Sequence, residues 1–374
     1  MSDDHEQQLV EQVRRAAEAG SPLAIRGGNS KAFYGRAVKG ESLDLSGHGG
    51  VVSYEPTELV ITARAGTPLA EIEALLAEKD QMLPFEPPHF GALAPSPSPQ
   101  GGGEPRATSL PRGERVATFG GMLAAGLSGP RRPWGGAVRD AVLGVKLLNG
   151  RGEVLKFGGQ VMKNVAGYDL SRLMAGSLGT LAVILEASVR VLPKPAVQIT
   201  LVQEANEDQA AGRLVAWGRK PLPLSASLYH DGRLWVRLSG AEQGVAAARA
   251  VIGGEEADGD IWRQTRDQTL PFFQGDAPLW RVSLPTAAQA LDLSGATLSE
   301  WGGALRWLRS DLSAGAIRRR AAALGGHAIL FRGHDGVCEV FHPLPPAMLL
   351  LHKRLKAAFD PRGIFNPGRM YAEL

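Results

Sequence analysis

The chain has 374 residues, of which 41 are basic and 38 acidic, so its net charge is +3. Runs such as Arg318–Arg320 are too short for a nucleic-acid-binding surface. The single cysteine, Cys338, excludes an internal disulfide, and an iron–sulfur cluster normally takes about four thiolates. No apolar run approaches the roughly 20 residues of a transmembrane helix, and the acidic N-terminus is unlike a signal peptide. We therefore expect a cytoplasmic protein that reaches a membrane only through partners.

The predicted elements begin with an amphipathic helix over residues 5–19 and a short buried strand over 22–26. A second helix is predicted from an N-cap at Thr67, with proline in its first position, to about Lys79. The segment 92–113 contains Pro-Ser-Pro-Ser-Pro and Gly-Gly-Gly and almost no large apolar side chain. This composition predicts a flexible surface insertion.

Glycines alternate with strand-like pieces from residue 117 to Leu192-Pro193-Lys194-Pro195, where two prolines mark a boundary. Beyond it, short strand patterns alternate with helical ones, and a last helix is predicted near the C-terminus. The predicted organisation is a first domain over 1–195, an α+β cap or subunit-contact domain over 196–345, and a C-terminal segment over 346–374.

Three stretches of small residues are candidates for ligand binding: Arg26–Ser30, Ala117–Gly129 and Gly176–Val183. Two glycines at the end of a strand make a nest of backbone N–H groups that suits a phosphate, although an ordinary turn has the same composition. Backbone without bulky side chains can lie against a flat ligand, and tight helix packing is the alternative. No nicotinamide fingerprint and no P-loop occurs in the chain, so a Rossmann dehydrogenase and an NTPase are disfavoured.

The order of these motifs resembles the FAD-binding domain of the vanillyl-alcohol-oxidase family. The motifs are Arg-Gly-Gly-Asn-Ser, Thr-Phe-Gly-Gly-Met-Leu-Ala-Ala-Gly, Gly-Ser-Leu-Gly-Thr-Leu and a closing Asp-Pro…Asn-Pro-Gly, and the match spans roughly 20–195 and 340–374. The resemblance implies an α+β fold: a PCMH-type FAD-binding domain of two subdomains, a smaller cap domain, and a C-terminal segment that returns to the flavin.

Four further stretches narrow the resemblance to the smaller flavin subunits of bacterial glycolate oxidases. They are Glu86–Gly91, Gly129–Trp134, Val161–Gly167 and Asn366–Tyr371. This resemblance implies oxidation of glycolate or a similar 2-hydroxy acid within a complex. It also implies two partners, a larger FAD-containing subunit and an iron–sulfur subunit.

The resemblance assigns FAD contacts to several groups of residues. The Arg26–Ser30 loop would hold the diphosphate, Pro84 and the 120–129 stretch would line the flavin, and residues 180–183 the adenosine end. The full predicted set is Arg26, Gly27, Gly28, Asn29, Ser30, Pro84, Thr118, Gly120, Gly121, Met122, Ala125, Gly126, Ser128, Gly129, Asp140, Thr180, Val183 and Asn366. Many relatives attach FAD through a histidine in the first glycine-rich loop. Asn29 stands in that neighbourhood here, so we predict non-covalent FAD.

Oxidation of a 2-hydroxy acid needs a base for the hydroxyl proton and a cation for the carboxylate. The catalytic candidates by residue type are His89, Arg131, Arg132, His327 and His342. Each also fits a structural role, and the arginine pair could equally contact a partner subunit. The metal-binding histidine pair of larger catalytic relatives has no counterpart in 196–340, so no metal is predicted. A non-catalytic relay or scaffold subunit and a free-standing oxidoreductase of another small alcohol remain as alternatives.

Overall fold

The computed structural model describes residues 2–90, 116–159, 169–334, 336 and 338–374. The predicted insertion 92–113 and the Val161–Gly167 motif lie outside the described residues. The described part is a mixed helix and strand structure, as the sequence predicted. None of its helices is both long and apolar enough to cross a membrane.

The elements of the first half precede residue 194. In chain order they are α1 (Ser2–Ala19), β1 (Leu23–Arg26), β2 (Glu41–Asp44), β3 (Val51–Glu55), β4 (Val60–Arg64), α2 (Leu69–Ala77), β5 (Gln81–Met82), α3 (Phe119–Ala125), α4 (Arg132–Gly135), α5 (Val138–Ala141), β6 (Val142–Leu148), β7 (Val154–Gly158), α6 (Leu170–Leu173), β8 (Val183–Arg190) and β9 (Leu192–Pro193).

An antiparallel sheet of five strands, in the order β3-β4-β8-β6-β7, organises this half. Its central strand β8 is buried along most of its length, and α1, α2 and α3 contribute to the same hydrophobic core. Val13 of α1, Ile72 of α2 and Phe119 of α3 are each fully buried there. The apolar residues of the first helix therefore recur at helical spacing because one face of that helix packs on this core.

The helix α2 begins one residue later than the sequence predicted. Pro68, not Thr67, is the N-cap, because its ψ of 133° keeps it out of the helix that begins at Leu69. The Thr67 hydroxyl instead donates to the Arg64 carbonyl at 2.7 Å and accepts from the Gly50 amide at 2.9 Å. The Thr67 side chain thus connects the end of β4, at Arg64, with Gly50.

A separate parallel pair, β1 and β2, is extended by the C-terminal tail. The Leu23 amide donates to the Ile364 carbonyl at 2.7 Å, and the Asn366 amide donates to the Leu23 carbonyl at 3.0 Å. A residue more than 340 positions away in sequence therefore lies beside the strand that leads into the first glycine-rich loop.

The elements of the second half are β10 (Val197–Glu204), α7 (Glu207–Gly218), β11 (Leu224–His230), β12 (Arg233–Gly240), α8 (Glu242–Ile252), β13 (Glu255–Glu256), α9 (Asp260–Asp267), β14 (Leu279–Ser283), β15 (Ala296–Glu300), β16 (Leu305–Arg309), α10 (Ala314–Ala323), β17 (His327–Arg332) and α11 (Pro346–Phe359). Short 3₁₀ turns occur at Pro271–Gln274 and Trp301–Gly303.

One antiparallel sheet of eight strands unites these elements, in the order β13-β10-β12-β11-β15-β16-β14-β17. Alternation along β17 shows its two faces: Leu330 packs with α10, whereas Phe331 packs toward the first half. The face toward the first half carries an aromatic cluster in which Phe331, Tyr34 and Phe90 take part. The domain limits at 195 and 345 stay predictions from the sequence.

Candidate functional site

A cavity of about 320 Å³ opens where the end of β1, the helix α3 and the C-terminal tail meet. Its wall joins segments from four distant parts of the sequence. The lining residues are Ala24, Ile25, Arg26, Gly27, Gly28, Asn29, Ser30, Lys31, Ala32, Ala37, Val38, Leu45, Ala65, Val116, Thr118, Gly120, Gly121, Ala124, Ala125, Leu178, Gly179, Ala182, Ile184, Asn366 and Arg369.

The loop after β1 requires its two glycines because other backbone passes close by. A Cβ on Gly28 would lie 2.0 Å from the Val116 carbonyl oxygen, and one on Gly27 would lie 2.5 Å from the Thr118 hydroxyl. Asn29 follows with a φ of 56°, a left-handed conformation that asparagine tolerates better than most residues. Among the described residues, the amide N–H groups of Gly27 and Gly28 have no acceptor. The loop therefore presents backbone donors that suit an anion.

The apolar part of the wall consists of small side chains. Ala124 and Ala125 come from α3, and Ala65 and Ala182 come from segments next to the five-stranded sheet. The Thr118 hydroxyl caps α3 by accepting from the Gly121 amide at 3.3 Å. Alanines leave room for a flat ring system to lie against backbone and methyl groups.

The C-terminal tail completes the wall through Asn366. Its side chain accepts from the Ile25 amide at 2.9 Å and donates to the Leu178 carbonyl at 2.7 Å. Asn366 and Leu178 both have positive φ values, 40° and 52°. Conformations of this kind cost free energy and are concentrated at ligand-binding sites. The buried asparagine thus locks three segments together at the edge of the cavity.

The tail is anchored by a buried ion pair on α11. The Lys356 ammonium lies 2.9 Å from the Asp360 carboxylate and donates to the carbonyls of Thr180 and Phe365 at 2.8 and 2.7 Å. Asp360 in turn accepts from the Phe365 amide at 2.8 Å. This network fixes the chain immediately before Asn366.

The charged residues of the described wall are all basic: Arg26, Lys31 and Arg369. Burial lowers the pKa of Lys31 to about 8, and the nearby Asp267 opposes that shift. Burial, aided by Arg26, also lowers the pKa of Arg369. Because no acidic side chain lies in this part of the wall, the cavity is complementary to an anion.

These features fit FAD. The unpaired backbone donors and the three cations match a diphosphate, and the alanine surface matches the flat rings. Bound FAD would supply the electron-accepting ring, and this chain would supply binding and orientation. The described wall contains no histidine, cysteine or tyrosine to which a flavin could be attached covalently.

Ten of the residues predicted to contact FAD lie together in this wall: Arg26, Gly27, Gly28, Asn29, Ser30, Thr118, Gly120, Gly121, Ala125 and Asn366. The cavity lining does not include Pro84, Met122, Gly126, Ser128, Gly129, Asp140, Thr180 and Val183. Met122 and Val183 belong to the hydrophobic core. The Asp140 carboxylate accepts from the Ala137 amide at 2.9 Å, so it stabilises a helix start. The FAD contacts of these eight residues stay predictions.

Sequence reasoning missed several wall residues, of which Lys31, Gly179 and Arg369 are the most informative. Lys31 directly follows the glycine-rich loop, and its charge among small residues was an available signal. Arg369 belongs to the Asn-Pro-Gly-Arg-Met-Tyr motif. Val38 and Leu45 had no distinguishing signal, because only the tertiary fold brings them to the cavity.

The catalytic candidates do not line this cavity. His89 Nε2 lies 2.9 Å from the Glu73 carboxylate. The ring of His327, on the edge strand β17, is 6.4 Å from the ring of His342. Partial desolvation lowers the pKa of both His327 and His342, and the nearby Arg281 and Arg318, respectively, act in the same direction. The Arg132 guanidinium lies 4.6 Å from the centre of the Trp301 ring. The catalytic roles of these residues stay predictions.

Arg131 belongs to a buried ionic junction between the two halves, which we call the Glu86 junction (Glu86, Arg131, Arg237 and Gln198). The Glu86 carboxylate lies 3.2 Å from Arg131 Nε and 2.8 Å from an Arg237 terminal nitrogen. Arg131 also donates to Gln198 of β10 at 2.9 Å. Burial opposes ionisation of Glu86, but the two arginines outweigh it and hold its pKa below the ordinary value. Arg131 is therefore already paired with Glu86, and its role as a carboxylate clamp stays a prediction.

Comparison with known proteins agrees with this geometry. The FAD binding domain family matches residues 4–94. Glycolate oxidase subunit GlcE of Escherichia coli (strain K12) is 50% identical over 371 residues, covering 99% of each chain. Glycolate oxidase subunit GlcD of Bacillus subtilis (strain 168) is 26% identical over 70% of each chain. The D-lactate dehydrogenase of Archaeoglobus fulgidus is 24% identical over 97% of this chain and 88% of that protein.

A solved structure of alkyldihydroxyacetonephosphate synthase has a TM-score of 0.66 at 14% identity, covering 96% of this chain and 75% of that chain. This likeness concerns the fold alone, and it confirms the PCMH-type α+β prediction. The predicted resemblance and the predicted cofactor are confirmed as well: the chain is an FAD-binding flavoprotein that belongs to the GlcE family of glycolate oxidase subunits.

Proposed function

We propose that this chain is the smaller FAD-binding subunit of a glycolate oxidase complex. In this proposal glycolate, or a similar 2-hydroxy acid, is oxidised to the 2-oxo acid, and the FAD of this chain passes electrons to a partner subunit. The partners are a larger FAD-containing subunit and an iron–sulfur subunit. The observation that carries the proposal is the cavity whose described wall holds three cations, unpaired backbone donors and no acid.

The composition of the wall also supports different roles for the two flavin subunits of the complex. A hydroxy-acid oxidase needs a base near the α-carbon of its substrate, and histidine is the usual choice near neutral pH. The described wall contains no histidine, aspartate or glutamate. We infer that this subunit holds and orients non-covalent FAD for electron transfer and that the larger subunit removes hydrogen from the substrate.

The test compares the chain alone with the chain co-expressed with its partner subunits. The isolated chain should show flavin absorption that acid precipitation releases into the supernatant, and anaerobic glycolate should leave this absorption unchanged. In the complex, glycolate should bleach the flavin of both subunits. A colourless chain that takes up no FAD contradicts the cofactor role and favours a scaffold. Bleaching of the isolated chain by glycolate contradicts the relay and favours a free-standing oxidoreductase.

A further inference from the structure

Lys31 is a buried cation that has no anion paired with it among the described residues. Its residue is 9% exposed, and its ammonium lies 3.5 Å from the Ser30 hydroxyl, a long contact. The ammonium is also 5.8 Å from the centre of the Phe90 ring. Among the described residues, no carboxylate lies within ion-pair distance of it. Ser30 and Lys31 both line the cavity, so the ammonium contacts the hydroxyl of a residue that also lines it.

Within the described part of the chain, the charges around Lys31 do not compensate its positive charge. Asp267 is the acidic group that acts on it, but that carboxylate is paired with Arg266 at 2.8 Å. The other neighbours are cations: Arg369 donates to the Lys31 carbonyl at 3.4 Å, and Arg332 lies 5.2 Å from the same Phe90 ring. An ammonium removed from water without a partner is costly, unless a ligand supplies the missing negative charge.

We propose that the Lys31 ammonium is a direct ligand of the bound FAD and pairs with an anionic group of the cofactor. This inference rests on the proposed FAD site and adds to it a residue that belongs to none of the glycine-rich motifs. The anionic group is either the diphosphate or the ring after it has accepted electrons. The diphosphate is charged in both redox states, so contact with it contributes equally to the affinity for oxidised and for reduced FAD. Contact with the ring contributes to the affinity for reduced FAD only.

The experiment measures equilibrium binding of FAD to apoprotein and the flavin midpoint potential for wild type, Lys31→Met and Lys31→Arg. A hydrogen bond to a charged group is among the stronger polar interactions, so Lys31→Met should weaken the binding of FAD in at least one redox state about tenfold or more. If the diphosphate is the partner, oxidised FAD binds about tenfold more weakly. If the ring is the partner, the midpoint potential falls by about 30 mV for a tenfold loss of preference for reduced FAD. Lys31→Arg should retain most of the effect, because it keeps the charge.

The pH dependence provides a readout that a purely structural role would not produce. A lysine whose pKa is about 8 without ligand pairs with an anion in its protonated form, which loses its proton above pH 8. The affinity of wild type, for the redox state that Lys31 contacts, should therefore be constant below pH 8 and fall as pH rises above it. In Lys31→Met and Lys31→Arg this dependence should disappear, because neither side chain titrates in that range.

Lys39→Met serves as the matched control, since Lys39 is exposed and lies outside the cavity wall. Thermal unfolding of each apoprotein checks that the variants fold. The inference is wrong if folded Lys31→Met has the wild-type affinity, midpoint potential and pH dependence. Failure of the wild-type chain itself to bind FAD would instead contradict the cofactor site as a whole, so the two failures are distinguishable.

Discussion

The cavity and the Glu86 junction differ in whether their buried cations are paired with an anion of the described chain. At the junction, Arg131 and Arg237 share one carboxylate, and Arg131 also donates to Gln198. At the cavity, the described residues offer the Lys31 ammonium one hydroxyl at 3.5 Å and no carboxylate, although Lys31 is buried to a comparable degree. Removing one partner of a buried ion pair destabilises a protein because it leaves an uncompensated charge, whereas a buried charge that has no partner in the protein indicates a ligand. Residue type alone does not distinguish the two.

Breaking the Glu86 junction should have the largest effect on stability. Glu86→Gln leaves two buried guanidinium groups without a counter-charge, which costs about 3–5 kcal/mol. Chemical denaturation should show this loss. The exposed pair Arg249–Glu256 is the matched control, and Glu256→Gln should cost at most about 1 kcal/mol. Equal losses in the two variants would contradict the structural role of the junction.

Glu300 is a second buried acid, and its pKa predicts how the stability of the protein depends on pH. Burial raises the pKa of Glu300 from 4.5 to about 7, and a hydrogen bond from Trp307 only partly opposes this. The native state thus retains a proton that the unfolded chain releases, so stability should fall as pH rises from about 4.5 to 7. The contribution of Glu300 is up to about 3 kcal/mol. The difference in unfolding free energy between pH 5 and pH 8 should be smaller in Glu300→Gln, and an unchanged difference would refute the assignment.

A substitution in the glycine-rich loop after β1 tests whether this loop holds the cofactor in the cavity. Gly28→Ala places a methyl group against the Val116 carbonyl, and the resulting shift of the loop should cost about 1–3 kcal/mol. We expect FAD affinity to fall about tenfold or more in equilibrium titration. Gly212→Ala in α7 meets no atom within 4 Å and should be neutral or slightly stabilising. A Gly28→Ala protein that binds FAD normally would show that the loop does not hold the cofactor.

The smallest effect is expected at His327, which is exposed and does not line the cavity. His327→Gln should change stability by no more than about 0.5 kcal/mol and leave FAD affinity unchanged. Stopped-flow reduction of the assembled complex by glycolate should proceed at the wild-type rate. Slow reduction with FAD fully bound would instead support the catalytic role that the sequence suggested.

The sequence by itself determined the class of the fold, the family and the first glycine-rich loop. These depend on local properties: the spacing of apolar residues in α1, and the order of small-residue motifs. Ten of the predicted FAD contacts meet at one cavity because backbone without side chains can approach both other backbone and a ligand.

Only the tertiary structure decided which polar residues are free to bind. Glycine-rich composition does not separate residues of the wall from residues of the core: Met122 and Val183, whose FAD contacts stay predictions, belong to the hydrophobic core. Arg131 and Lys31 could not be ranked from the sequence, because Glu86 and Gln198, which pair with Arg131, lie 45 and 67 positions away from it. Hydrogen bonds and ion pairs between distant segments decide whether a buried charge is satisfied, and those contacts form only when the chain folds.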